Sequence, residues 1–140
     1  MTRRLIGIGN PDRGDDAAGW EVAGSVSNWD VDRRTAGSLD LLELWSADDD
    51  VVIVDAMRSG ARPGTIHMFD AADEALPVGA FASTHAFGPA AVIELARRLG
   101  QLPHSLVVIG IEVGDTSHGR AMTPEVKRAV NEVAAELQSA

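Results

Sequence analysis

Three segments of the chain carry side chains that could bind a metal ion together. The adjacent carboxylates Asp15 and Asp16 follow an apolar run that ends in a Gly-Asn turn. Asp55 directly follows four apolar residues, and a later Ser-Thr-His loop brings the imidazole of His85. Groups at the carboxyl ends of the strands of an open parallel sheet converge on one crevice. Two carboxylates and an imidazole in such a crevice would form a metal site.

Each of these groups also has an ordinary structural explanation. Asp15 and Asp16 could cap a helix and occupy its first turn, where acidic side chains complement the helix dipole. His85 could be a loop histidine that hydrogen-bonds to backbone. Asp55 is harder to explain in this way, because a carboxylate at the end of a buried strand must be paired, capped or bound. The residues alone leave both interpretations open.

The glycines of the first turn suggest a dinucleotide-binding site, and the sequence argues against it. Gly7 and Gly9 match two positions of that fingerprint, but its third glycine position holds an aspartate. A pyrophosphate at this turn would face several carboxylates. We therefore interpret Gly7, Gly9 and Asn10 as the residues that shape the turn presenting Asp16, with Asp15 as neighbouring support.

Covalent catalysis is not indicated by the sequence. The chain has no cysteine, which excludes disulfides, thiolate ligands and cysteine nucleophiles. No Ser-His-Asp arrangement falls at predicted strand ends. We interpret His67, His104 and His118 as structural or peripheral, because none has a strand-end carboxylate near it in sequence.

Length and charge limit the class of protein. With 140 residues, 45% of them hydrophobic, residues 1–140 should form one globular domain. The net charge of -9 argues against nucleic acid and anionic membranes as partners. The first apolar run is too short for a signal peptide or a membrane span. We expect a cytoplasmic monomer.

Strand and helix patterns alternate along the chain. The predicted strands are residues 4–9, 28–33, 51–55, 65–69 (an edge or antiparallel strand) and 105–111. The predicted helices begin at Asp16, at Ser38 and at Gly88-Pro89, and the last has Thr123 as its N-cap. Residues 70–82 should be a mobile surface loop. The alternation predicts an α/β fold, a single-domain three-layer α/β/α arrangement with a twisted, mostly parallel sheet of about five strands.

The chain resembles the hydrogenase maturation endopeptidases in an ordered series of motifs. The motifs are Gly7-x-Gly9-Asn10, Asp15-Asp16, Gly19, Thr35-Ala36-Gly37, residues 51–56, Pro63-Gly64-Thr65, Ser83-x-His85, Gly110 and Thr123-Pro124-Glu125-Val126. Members of this family remove a C-terminal extension from the large subunit of nickel-iron hydrogenases. The resemblance implies a metal-dependent endopeptidase whose partner is the large-subunit precursor.

The resemblance also implies which residues bind the metal. The family's ligands are an acidic residue of the first loop, an aspartate after the central strand and a later histidine, which correspond to Asp16, Asp55 and His85. The nickel would be carried by the precursor, and zinc or another divalent metal could act as a surrogate. Asp16 and Asp55 would contribute to catalysis through the metal, and no general base is assigned.

Two departures from the family pattern bear on the substrate. Arg33-Arg34 stands where many relatives carry glycines before the Thr-Ala-Gly segment, and Glu112 is followed by Val113-Gly114 where relatives commonly show a Pro-Glu pair. The two arginines would narrow that loop or present charge to an acidic region of the substrate. Substrate selection is therefore expected to differ from that of these relatives.

Two other functions remain compatible with the same residues. One is a non-proteolytic module that binds nickel or holds the precursor as a chaperone. The other is a metal-dependent hydrolase of a small molecule. All three functions use the same metal ligands, so the ligands do not distinguish them.

Overall fold

A computed structural model describes residues 2–36, 38–77, 79–81 and 88–140. The elements are β1 (Arg3–Ile8), α1 (Ala18–Gly24), β2 (Asp30–Arg34), β3 (Asp50–Met57), β4 (Ile66–Asp70), α2 (Pro89–Leu99), β5 (Ser105–Glu112) and α3 (Pro124–Ser139). Two short 3-10 helices span Gly14–Ala17 and Leu39–Glu43.

The strands form one sheet in the order β2-β1-β3-β5-β4. The neighbouring strands β2, β1, β3 and β5 pair in parallel, and β4 pairs antiparallel with β5 at the sheet edge. The central strand β3 is rich in β-branched residues and is buried on both faces, as parallel strands covered by helices usually are. The predicted mostly parallel sheet of five strands is confirmed.

Helices cover both faces of this sheet. The α2 face packs α2 and the second 3-10 helix against side chains that include Val51 and Ile53 of β3. The α1/α3 face packs α1 and α3 against the alternate side chains, which include Val52 and Val54. The three-layer arrangement is therefore also confirmed. None of the described helices has the length and apolar character needed to cross a bilayer.

Three local predictions were wrong in detail. The helix expected from Asp16 begins as the 3-10 helix Gly14–Ala17 and becomes α-helical only at Ala18. The short helix expected over residues 38–45 is a 3-10 helix at Leu39–Glu43. The segment 70–82 was expected to be a mobile surface loop, but three of its apolar side chains, Ala71, Leu76 and Phe81, are buried in the core. Their spacing follows neither helical nor strand periodicity, so the pattern did not reveal their burial.

Candidate active site

Asp55 lies near the C-terminal end of β3 and is almost fully buried, with 7% of its surface exposed. Its Oδ1 accepts a hydrogen bond from the N–H of Ala56, 2.8 Å away. Asp16 is half-buried in the 3-10 helix Gly14–Ala17, which follows the first loop and contacts β3. The two carboxylates interact electrostatically, so the fold brings these two predicted ligands together.

Backbone contacts of the first loop set the position of Asp16. The Gly9 N–H donates to the Arg34 carbonyl oxygen at 2.9 Å, and the Asn10 N–H donates to the Asp16 carbonyl oxygen at 3.1 Å. A Cβ atom at Gly9 would overlap that same Asp16 carbonyl oxygen. The absence of a side chain at this position therefore lets the 3-10 helix close against the strand end, in agreement with the turn-shaping role predicted for Gly9 and Asn10.

Asp15 has a different environment from its neighbour. Its buried carboxylate accepts hydrogen bonds from the backbone N–H groups of Gly114 (2.8 Å), Asp115 (3.1 Å) and Thr123 (2.7 Å). The Thr123 hydroxyl also donates to it, at 2.9 Å from Oδ2. Thr123 thus occupies the N-cap position of α3, as predicted, while its side chain makes no cap hydrogen bond. Asp15 ties the first loop to the loop before α3 and is already saturated with donors.

Burial raises the pKa of both candidate ligands, and the charge of Asp16 adds to the rise at Asp55. Burial raises the pKa of the Asp55 carboxyl well above its usual range, the negative charge of Asp16 raises it further, and the Ala56 N–H opposes both. Burial also raises the pKa of Asp16, against the Asn10 N–H and the charge of Arg13. Two neighbouring acids whose charged forms are disfavoured by burial are suited to a divalent cation, which would favour both carboxylates at once.

The third predicted ligand, His85, lies outside the described residues. Within the described ranges, no group of three or more His, Cys, Asp or Glu side chains is arranged to hold a metal ion. The described part of the candidate site therefore consists of the carboxylates of Asp16 and Asp55, and the role of His85 stays a prediction. His104 and His118 are exposed on the surface.

A row of residues crosses the sheet at the level of Asp55, and sequence reasoning missed it. In the strand register, Arg34 lies beside Ile8, Gly110 lies beside Asp55, and His67 lies beside Gly110. Gly7 of β1 pairs with Val54 of β3, so the next residues, Ile8 and Asp55, are also neighbours and the row is continuous. We call these five residues the site row. Successive side chains of a strand point to opposite faces of the sheet, and those of the site row point to the α2 face. Only the register of the folded sheet shows that Arg34 and His67 share a row with Asp55.

His67 is less peripheral than its sequence position suggested. Its Nε2 is buried and lies 3.4 Å from Oε1 of Glu112, which is 1% exposed. This separation is within ion-pair distance, but Nε2 has no hydrogen-bond partner among the described residues, so the two groups are close without being aligned. Glu112 instead accepts hydrogen bonds from the N–H (2.8 Å) and hydroxyl (2.6 Å) of Ser59. Glu112 therefore fixes the turn that follows β3.

The sequence matches the model of the hydrogenase maturation protease family over residues 29–140. Among curated protein sequences, none matches the chain.

Three solved structures of similar proteins can be compared with almost the entire chain. The chain is similar to the endopeptidase HycI from Escherichia coli, with 28% identity and a TM-score of 0.74 over 99% of this chain and 90% of that one. It is also similar to the NiFe hydrogenase maturation protease HycI from Thermococcus kodakarensis KOD1, with 26% identity and a TM-score of 0.70 over 99% and 93% of the two chains. The hydrogenase maturating endopeptidase HybD from E. coli shares the fold, with 22% identity and a TM-score of 0.79 over 99% and 91% of the chains.

The hydrogen bonds of Asp15 predict that an isosteric change will destabilise the protein. Asp15→Asn would direct an amide N–H₂ at backbone donors and leave buried N–H groups without an acceptor. We expect the free energy of unfolding to fall by about 1–3 kcal/mol. Urea denaturation measures this change, and Asp12→Asn, in the exposed part of the same loop, is the control and should change stability little. Equal stability of the two variants would show that these hydrogen bonds contribute nothing.

The raised pKa of Asp55 predicts how stability depends on pH in metal-free protein. The folded state binds the Asp55 proton more tightly than the unfolded chain does, so the contribution of this group to stability is fully present below the unfolded-state pKa, about 4, and is lost as the pH rises toward the folded-state pKa. Asp55→Asn removes this loss. We expect the variant to be more stable than the original protein at pH 7 and less dependent on pH above about 4. Urea denaturation across the pH range measures both, with the exposed Asp48→Asn as control. The idea fails if Asp55→Asn and Asp48→Asn give the same pH profile.

Proposed function

The chain belongs to the hydrogenase maturation protease family, whose members are peptide-bond hydrolases, and we propose that it removes the C-terminal extension of a nickel-iron hydrogenase large-subunit precursor after nickel insertion. The observation that carries this proposal is the pairing of two buried or half-buried acids, Asp16 and Asp55, at the C-terminal edge of the sheet. Their repulsion gives the site a preference for a cation.

In this proposal, the nickel ion is part of the substrate. Asp16, Asp55 and His85 bind it, and zinc or another divalent metal is a surrogate in vitro. Asp16 is the more exposed carboxylate, so the precursor approaches from its side and Asp55 forms the floor of the site. A nickel ion bound there would polarise the scissile carbonyl or activate a water molecule. Asp15 supports the loop and does not contact the substrate, because the chain's own donors already surround its carboxylate.

The charge of the site also explains how cleavage could be gated by nickel. A nickel-free precursor would cover two carboxylates without compensating their charge, and burying unpaired charge is costly. A nickel-loaded precursor would supply the compensating charge itself. The protease would therefore distinguish the two forms by binding as well as by chemistry.

The deciding experiment compares nickel-loaded and nickel-free precursor. We expect purified protein to remove the C-terminal extension only from the loaded form, and mass spectrometry of the precursor measures this. An unchanged mass under conditions in which the complex forms would reject proteolysis and support a chaperone. Equal cleavage of both forms would reject the gating.

The three proposed ligands predict a matched set of variants. Loss of a residue that hydrogen-bonds to a metal ligand typically lowers activity by about 10–100-fold. Asp16→Ala, Asp55→Ala and His85→Ala remove the ligands themselves, so each should lower the cleavage rate by more than this. Asp48→Ala and His118→Ala remove a carboxylate and an imidazole that are exposed outside the site, and they should cleave normally. Cleavage rates of nickel-loaded precursor are measured for all five, after circular dichroism has confirmed folding. Full activity in any of the first three variants contradicts a shared site.

A further inference from the structure

The two adjacent arginines of β2 have opposite environments. Arg33 points to the α1/α3 face, where its Nε donates to the Trp20 carbonyl oxygen at 3.0 Å and its guanidinium lies 5.1 Å from the centre of the Trp20 ring. Arg34 belongs to the site row and points to the α2 face. Its Nε is buried and has no hydrogen-bond partner among the described residues. Arg33 is therefore a packed structural residue, whereas Arg34 retains an unused donor.

A buried, unpaired guanidinium donor needs an explanation. Native proteins pair almost all buried polar groups, because a donor removed from water without a partner is destabilising. The arginine side chain stays protonated, so Arg34 cannot relieve this cost by losing its charge. An acceptor supplied by a bound molecule would satisfy it.

Arg34 is well placed to meet a substrate bound at Asp55. Only β1 separates β2 from β3, so the backbones of Arg34 and Asp55 are about 10 Å apart across the row, a span that about three residues of extended peptide cover. The Arg34 carbonyl oxygen accepts the Gly9 N–H, which fixes this end of β2 to the loop that carries Asp16. Ile8, between them in the row, is buried in the core, so a peptide bound at Asp55 would reach the Arg34 side chain along the C-terminal edge of the sheet.

Charge favours a carboxylate as the group that Arg34 binds. A guanidinium presents a planar set of donors that matches the two oxygens of a carboxylate. Asp16 and Asp55 would be engaged by the substrate's nickel, which would leave Arg34 as a positive charge of the site row without an anionic partner. A negatively charged side chain of the precursor would complement it, while the rest of this acidic protein, of net charge -9, disfavours such a side chain elsewhere.

We propose that Arg34 is a specificity-determining residue that binds an acidic side chain of the precursor about three residues from the cleaved bond. This inference rests on the proposed function, since it takes the precursor as the substrate of the site. It gives Arg34 a binding role and no part in the chemical step. The adjacent Arg33 has no such role.

The test measures KM and kcat for nickel-loaded precursor with Arg34→Gln and with Arg33→Gln as the matched control. We expect Arg34→Gln to raise KM by about 10–100-fold, the effect of losing one charge-assisted hydrogen-bonded contact, with kcat little changed. Arg33→Gln should leave both constants unchanged, since its side chain lies on the other face. Urea denaturation of both variants identifies any loss caused by unfolding. An unchanged KM in folded Arg34→Gln overturns the proposal.

Precursor variants identify the partner of Arg34. Each Asp or Glu within about five residues of the cleaved bond is changed in turn to Asn or Gln. One of these changes should raise KM as much as Arg34→Gln does. Combined with Arg34→Gln, it should raise KM no further, as expected for two groups that contact each other. Arg34→Glu combined with Lys at that precursor position should recover part of the lost affinity. If no precursor carboxylate shows this coupling, Arg34 does not bind an acidic side chain.

A binding measurement separates this inference from the proposed function. If the original protein leaves the nickel-loaded precursor uncut, proteolysis is rejected, and Arg34 is then tested by the affinity of the complex. Weaker binding by Arg34→Gln than by Arg33→Gln supports the contact without proteolysis. Equal binding by the two variants overturns it.

Discussion

The Asp16 and Asp55 carboxylates are held close enough to repel each other, and backbone packing of the first loop keeps them there. A Cβ atom at Gly19 would overlap the carbonyl oxygens of Ile8 and Val54, so α1 lies directly against the ends of β1 and β3. These contacts hold the loop with no help from the two carboxylates, because they involve backbone atoms alone. Electrostatic strain at the site can therefore persist in the folded protein, as is common at functional sites.

Adjacent aspartates divide two tasks between them. Asp15 stabilises the fold through backbone donors of Gly114, Asp115 and Thr123, and Asp16 is left half-buried with a raised pKa. A 3-10 turn directs the two side chains apart. One carboxylate thereby rigidifies the loop that presents the other, which is how a preorganised site is usually supported.

The sequence predicted the fold better than it predicted the site. β-branched runs and helix-end residues located the strands and helices within a few residues, because burial on both faces and the special geometry of Pro and Gly are local properties. The different roles of Asp15 and Asp16 depend on donors about a hundred residues away, and no local pattern contains them. The same limit applies to Arg34, because its place beside Asp55 follows from strand order and register.

The balance of charge connects the packing of the site to the proposed discrimination between precursors. Two acids with raised pKa values make the metal-free site weakly destabilising at neutral pH, since burial disfavours the charged form of both and the charge of Asp16 further disfavours that of Asp55. A divalent ion delivered by the substrate would remove this penalty and gain two ligands in the same step. The free energy of complex formation would then depend strongly on the ion, whereas contacts such as that proposed for Arg34 would contribute equally to loaded and empty precursors. Recognition of the peptide and recognition of the metal would therefore be separable, with the first selecting which precursor binds and the second selecting when it is cut.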